Sequence, residues 1–131
     1  MTNRSALRIA ALSGFLAVAL GAFGAHGMAS VLERHDTLAI WETAVFYHLS
    51  HTLVLLWLAG GVPFRRGPYW CLLTGIVVFS GSLYLLASLN LRWLGAVTPL
   101  GGVSLLAGWT WLIFAPGSSG NPQGPDSNRQ P

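Results

Sequence analysis

Glu42, His48 and His51 are three ionisable side chains inside one apolar run, Thr37–Gly61 (TLAIWETAVFYHLSHTLVLLWLAGG). A run of that length crosses a hydrocarbon core of about 30 Å at about 1.5 Å per residue. Ionisable groups are costly there and are rarely placed without a partner, so chemistry is sought here first. Neutral imidazole ligates metals and haem and relays protons, and helical bundles host such sites in their cores. The pattern argues against a metal or haem. The two histidines are not at the His-x-x-x-His spacing of a helical zinc pair, and no cysteine lies nearby. Glu42 sits about 120° from His48 and about 180° from His51 around a helix, on neither face. No metal and no cofactor is expected.

What remains is hydrogen bonding or conduction. Trp41, Ala44, His48, His51 and Leu55 follow a three-four stripe, which predicts that both histidines face into the protein. An unpaired buried polar group costs about 1–3 kcal/mol on protein mutational scales. At least one of the two is therefore expected to bond Ser, Thr, Tyr or a backbone carbonyl of another helix. Packing is the first reading, and a proton or solute pathway, as in a small transporter or proton-coupled channel, is the second.

Other spans must supply the partners. The apolar runs predict spans at about residues 8–28, 37–60, 68–90 and 93–115, one transmembrane domain over 1–115. The fold class expected is all-α, an integral membrane four-helix bundle. Counted from one end of each span, His48, Ser80 and Ser104 lie roughly 15–17 Å deep, near the bilayer midplane. Tyr84 and Thr98 lie about a turn and a half shallower. His48, His51, Ser80, Tyr84, Thr98 and Ser104 thus form a candidate polar layer.

Composition supports the membrane assignment. The 131 residues are 53% apolar and only 8% charged, where a soluble domain carries about a quarter charged residues. All seven basic residues are arginines scattered between apolar runs, so the net charge of +3 does not indicate nucleic acid. The single cysteine, Cys71, excludes an intramolecular disulfide. There is no Ser-His-Asp set, phosphate loop or carboxylate pair, and no enzyme is expected. The partners implied are the lipid bilayer and, through small-residue faces, a second copy or another membrane protein.

Those faces are Gly14, Ala17, Gly21 and Gly24 in the first span, Gly81 in the third, and Gly101 and Gly108 in the fourth. Small residues at helical spacing let backbones approach closely in a membrane. The first span also resembles a cleavable signal peptide, with Ala22-Phe-Gly24 before a cleavage point. It is longer than the usual apolar region of such a peptide, and its small stripe is of use only to a retained helix. Residues 29–36 read as a solvated loop, with Asp36 or Thr37 capping the next helix. Thr98-Pro99 predicts a kink or short break in the fourth span. A broken helix at a transport site is the rival reading of the same segment. Residues 116–131 are polar, hold four prolines, and are expected to be a disordered tail.

Four spans put both termini on one side. That side holds Arg4, Arg8, Arg65, Arg66 and Arg129 against Arg34 and Arg92 on the other, which predicts cytoplasmic termini. Trp41 and Trp93 at one boundary, and Trp57, Tyr69, Trp70 and Trp111 at the other, read as interfacial belts.

Four motifs in order carry a resemblance. They are GAFGAHG, W-x-T-A-V-x-Y-H-x-x-H-T-L, VxFSGSLYxL and TPxGGVSxLAGW. With these the chain resembles the YgdD-like small inner-membrane proteins, a family of unknown function, over nearly all of Arg8–Ala115. The resemblance implies a multi-pass bacterial inner (plasma) membrane protein with four helices. It implies no activity, substrate or site. It also implies that glutamine is accepted at the position of His48 while histidine is usual at that of His51, which speaks against two histidine ligands.

Reporter fusions at Ser127 and at Arg34 should report opposite sides of the membrane. A mature chain beginning at Ala25 would overturn the four-span reading.

Overall fold

Apolar runs separated by Pro, Gly and charged residues become helices separated by turns. The structure, a computed structural model, describes residues 2–61 and 63–114; segment 116–131, expected to be a disordered tail, lies outside them. Among the described residues there are five α-helices and no strand: α1 Asn3–His26, α2 Ala29–His35, α3 Leu38–Gly60, α4 Arg66–Leu89 and α5 Thr98–Phe114. A 3-10 turn, Arg92–Ala96, joins α4 to α5. Helices α1, α3 and α4, and the stretch Arg92–Phe114, are 23 or 24 residues long with mean hydropathy from 1.3 to 2.0. All four are long and apolar enough to cross a membrane. Their outward faces carry large apolar side chains such as Phe15, Phe46, Trp57 and Ile113, a surface suited to lipid.

The long helices pack as a row, α1 on α3, α3 on α4, and α4 on α5. Among the described residues, no Cα of α1 comes within 8 Å of α4, and none of α3 within 8 Å of α5. Each of those pairs leaves a groove. The close pairs are built on small residues. The buried face of α1 is Ala6, Ala10, Ser13, Ala17 and Gly24. A Cβ at Gly14 would stand 3.4 Å from Thr52, and one at Gly21 would stand 3.3 Å from Val45, both on α3. Gly24 is the seat of the Trp41 indole, which a Cβ there would overlap. Between α4 and α5, a Cβ at Gly101 would meet the Phe79 backbone, and one at Gly108 would lie 2.8 Å from Leu72. Gly75, which the sequence did not single out, seats Leu105 in the same way.

Gly81 differs from the expectation. A Cβ there would meet nothing within 4 Å, so this glycine seats no helix and faces the gap between α1 and α4. Trp41 and Tyr69 are buried against neighbouring helices: the Trp41 indole donates to the Leu20 carbonyl at 3.1 Å, and the Tyr69 hydroxyl donates to the Ala6 carbonyl at 2.7 Å.

The connections were expected to be simpler than they are. Residues 29–35 form α2 instead of a loop, and its Leu32 packs into a cluster with Trp41 and Ala87. Asp36 ends α2 in the left-handed conformation at φ 54°. Thr37 occupies the cap position of α3 without capping it; its hydroxyl donates instead to Ala87 O at 2.9 Å, and His35 Nδ1 lies 3.3 Å from the same oxygen. That carbonyl is in the last turn of α4, where helix carbonyls lack an intrahelical partner. The α2–α3 corner therefore caps α4. At Thr98-Pro99 the chain breaks rather than kinks: the 3-10 turn ends at Ala96, and α5 starts with Pro99 in its first turn, where a missing N–H costs nothing.

The glycines give a direct test. Gly101→Ala should destabilise the purified protein by about 1–3 kcal/mol through overpacking. Gly81→Ala should be neutral or stabilising by up to about 1 kcal/mol, since it meets no atom and gains helix propensity. Unfolding in detergent, followed by circular dichroism, measures both; equal losses would place Gly81 in an interface.

Candidate functional site

His48 stands one residue from the middle of α3 and is 7% exposed. Its Nε2 lies 3.1 Å from Ser13 Oγ of α1, and its Nδ1 lies 3.3 Å from the Tyr84 hydroxyl of α4. Ser13 Oγ in turn lies 2.7 Å from Thr52 Oγ1, one turn along α3. Thr52, Ser13, His48 and Tyr84 thus form one hydrogen-bonded chain across three helices. The Tyr84 ring is further held edge-on to Trp41 at 4.8 Å between centroids. Helix α3 supplies the centre, with His48 and Thr52 four residues apart on one face. The small face of α1 lets Ser13 reach them, and Tyr84 is long enough to cross from α4.

His51 is elsewhere. Its Nδ1 donates to the Tyr47 carbonyl at 2.8 Å, and its Nε2 accepts from the Trp109 indole of α5 at 3.2 Å. A carbonyl only accepts and an indole N–H only donates, so this geometry assigns a neutral ring with its proton on Nδ1. The ring also stacks on Tyr47 at 5.7 Å between centroids. His51 bridges the groove between α3 and α5, a cleft of about 310 Å³ lined by Tyr47, Phe79, Leu105 and Trp109 among others.

Of the candidate polar layer, the structure brings His48 and Tyr84 into one cluster and sets Ser80 in the groove beside them. Thr98 pairs with Ser82 at 2.8 Å, and Ser104 donates to the Cys71 carbonyl at 2.8 Å. Both of those contacts hold α5 against α4. The layer is therefore four separate contacts, with Ser80 making none, and the two histidines do not share a face. Ser13, Thr52, Ser82 and Trp109 were missed. Ser13 is the one hydroxyl in the run Ile9–Met28, and its isolation was the available signal. Thr52 follows His48 by one turn and could have been read as the next step of the stripe.

Among the described residues, no group of three His, Cys, Asp or Glu side chains is placed to hold a metal ion. The groove between α1 and α4 has a volume of about 320 Å³, within the range of pockets that take small molecules. Its polar residues are Ser13, His48, Ser80 and Tyr84 in otherwise apolar walls. Ser80 is 1% exposed, and its hydroxyl has no hydrogen-bond partner among the described residues.

Comparison with known proteins gives a consistent result. A family described as "Protein of unknown function (DUF423)" matches residues 20–102. The chain is 46% identical over 118 residues to the UPF0382 inner membrane protein YgdD of Escherichia coli, covering 86% of this chain and 89% of that protein. It is 40% identical over 113 residues to the UPF0382 membrane protein YwdK of Bacillus subtilis, covering 82% and 91%. A UPF0382 membrane protein of Staphylococcus epidermidis is 44% identical over 111 residues, covering 82% and 90%. The chain matches no solved structure.

The cluster predicts a coupling. Ser13→Ala and Tyr84→Phe each remove one bond to His48, and interhelical hydrogen bonds in membranes average about 0.6 kcal/mol, with a maximum near 1.7. Each variant should lose a stability in that range, and the double variant should lose less than the sum, because the two bonds share one ring. Additive losses in detergent unfolding would mean the bonds act independently.

Proposed function

The chain belongs to the UPF0382 (DUF423) family of membrane proteins, and from that premise we propose that it serves as a structural or accessory component of the inner membrane. It is a multi-pass integral membrane protein, and the lipid bilayer is its environment. The observation that carries the reading is the state of the two histidines. All four ring nitrogens are already engaged by the protein itself, with Ser13 and Tyr84 for His48 and with Tyr47 and Trp109 for His51. A conducting imidazole must exchange partners with water or solute along a path. Here the polar groups form separate contacts between helices, and those contacts serve packing.

Accessory action needs a partner. We assign that partner, a helix of a second copy or of another membrane protein, to the groove of about 490 Å³ between α1 and α3, with Gly21 and Ala25 in its wall. In this reading the termini are cytoplasmic, supported by the arginine distribution.

The small transporter or proton-coupled channel is the competing outcome. Proteoliposomes of the wild type should show no proton flux above protein-free liposomes, and His51→Gln should leave that baseline unchanged while keeping the fold. Flux in the wild type that His51→Gln abolishes would replace the accessory reading with a conducting one.

A further inference from the structure

The two ends of the bundle differ in charge. The Asn3 amide donates to the Gly61 carbonyl and the Tyr69 hydroxyl to the Ala6 carbonyl, so the starts of α1 and α4 and the end of α3 lie together. That end carries Arg4, Arg8, Arg65 and Arg66. The carboxylates of the described residues, Glu33, Asp36 and Glu42, all lie toward the opposite end. Arg8 and Arg66 are exposed, and neither makes a hydrogen bond or ion pair with a described residue.

Both stand over the groove between α1 and α4. At about 100° per residue, Arg66, Leu73, Val77 and Tyr84 fall within about 40° of one another around α4, and the last three line that groove. On α1, Arg8 leads at four-residue steps to Leu12 and Leu16, which line the facing wall. Ser13, His48 and Ser80 are buried behind those walls, so the open surface of the groove is apolar. Such a surface accepts a hydrocarbon chain, and the arginines at its mouth select what that chain carries.

We propose that the groove between α1 and α4 seats an acyl chain of an anionic phospholipid whose phosphate is held by Arg8 and Arg66. A guanidinium presents paired N–H donors that match phosphate oxygens. Depth agrees. The bond from Tyr69 to Ala6 sets those two residues level. Arg8 lies two residues inward of that level and Arg66 three outward, roughly 3 Å and 4–5 Å. The charge-free run Ile9–Met28 begins beside Arg8 and is about as long as a hydrocarbon core is thick. Arg8 therefore stands at the boundary of that core, where an arginine stem extends toward the headgroups. From Arg66 to Val77 is roughly 16–17 Å along α4, about half of a core near 30 Å thick, which is the reach of a chain in one leaflet. Charge speaks against a second copy as the occupant, because a copy inserted the same way would bring its own arginine end against this one. The proposal is independent of the accessory role, which uses the groove between α1 and α3.

The test uses the full chain in dodecyl maltoside micelles, titrated with dioleoyl phosphatidylglycerol. Dioleoyl phosphatidylcholine is the match with the same chains and no net charge. Phosphatidylglycerol should raise the melting temperature saturably, with an apparent Kd about fivefold or more below that of phosphatidylcholine. Arg8→Gln and Arg66→Gln should each weaken its binding about fivefold, as loss of one basic residue near an anionic lipid surface implies. Arg92→Gln removes the same charge at the other end and should leave binding unchanged. Val77→Trp, which fills the groove within the chain's reach and keeps both arginines, should weaken binding; the glutamine variants carry the test if the tryptophan variant does not fold. Equal affinity for the two lipids overturns the proposal. So does an equal loss in Arg92→Gln, which would be a response to net charge alone, or an equal rise with glycerol phosphate, which would make this a site for a free anion. Undiminished binding by both glutamine variants, or by Val77→Trp, overturns it as well. A fall in oligomeric mass in Val77→Trp would assign the groove to a second copy and overturn it too.

Discussion

A hydroxyl or imidazole at the bilayer midplane has no water to turn to, so its partner must come from another part of the protein. Much of the architecture follows from that constraint. Ser13, His48 and Tyr84 tie α1, α3 and α4 together at mid-depth. Tyr69 ties α4 to the Ala6 carbonyl near one end, and Trp41 ties α3 to the Leu20 carbonyl toward the other. Thr37 and His35 close the last turn of α4. Lipid tails are as apolar as leucine, and burying apolar surface gives helices no preference for each other over lipid. Polar contacts and close packing have to decide which helices meet.

The two devices divide the work between helix pairs. Glycines bring α4 and α5 into backbone contact, with Gly75, Gly101 and Gly108 each occupied by a residue of the facing helix. Alanines, Ser13 and Gly24 do the same for α1 against α3. The pair α1 and α4 is joined by a long side chain instead. Tyr69 reaches across to the Ala6 carbonyl of α1, bonding backbones that stay apart, while Tyr84 bonds α3 through His48. The groove between α1 and α4 is a consequence of that choice. So is the cleft between α3 and α5, which His51 and Trp109 span side chain to side chain.

The four spans were legible because charge and proline interrupt apolar runs of membrane length, and four motifs in order pointed to the family. The depth of His48 was legible too, by counting residues from the end of its span. Its partners were not. At the step after His48, a stripe of period 3.6 admits either His51 or Thr52, and periodicity alone cannot choose. Proximity decides: the α1–α3 contact is tight, with Gly14 opposite Thr52, and a threonine fits where an imidazole does not. Trp41 has the residue type of an interfacial anchor, but Gly24 lies opposite and seats its ring. Gly81 has the residue type of a packing glycine, but no helix lies opposite. Small residues announce that something can approach, and the fold determines whether anything does.

That difference gives the glycines of α4 opposite meanings. Gly75 is filled by Leu105 and belongs to the fold; Gly81, six residues on, is unfilled and opens on the groove between α1 and α4. A hydroxyl with no acceptor in hydrocarbon carries a standing cost, and an intrahelical bond to its own preceding turn, a common resort for serine, is not made by Ser80. Ser82, two residues away, does make such a bond, to the Phe79 carbonyl at 2.9 Å, and pairs with Thr98 besides. Two serines on one helix thus meet the same constraint differently. The one facing α5 is satisfied by the protein, and the other is buried with no hydrogen-bond partner among the described residues.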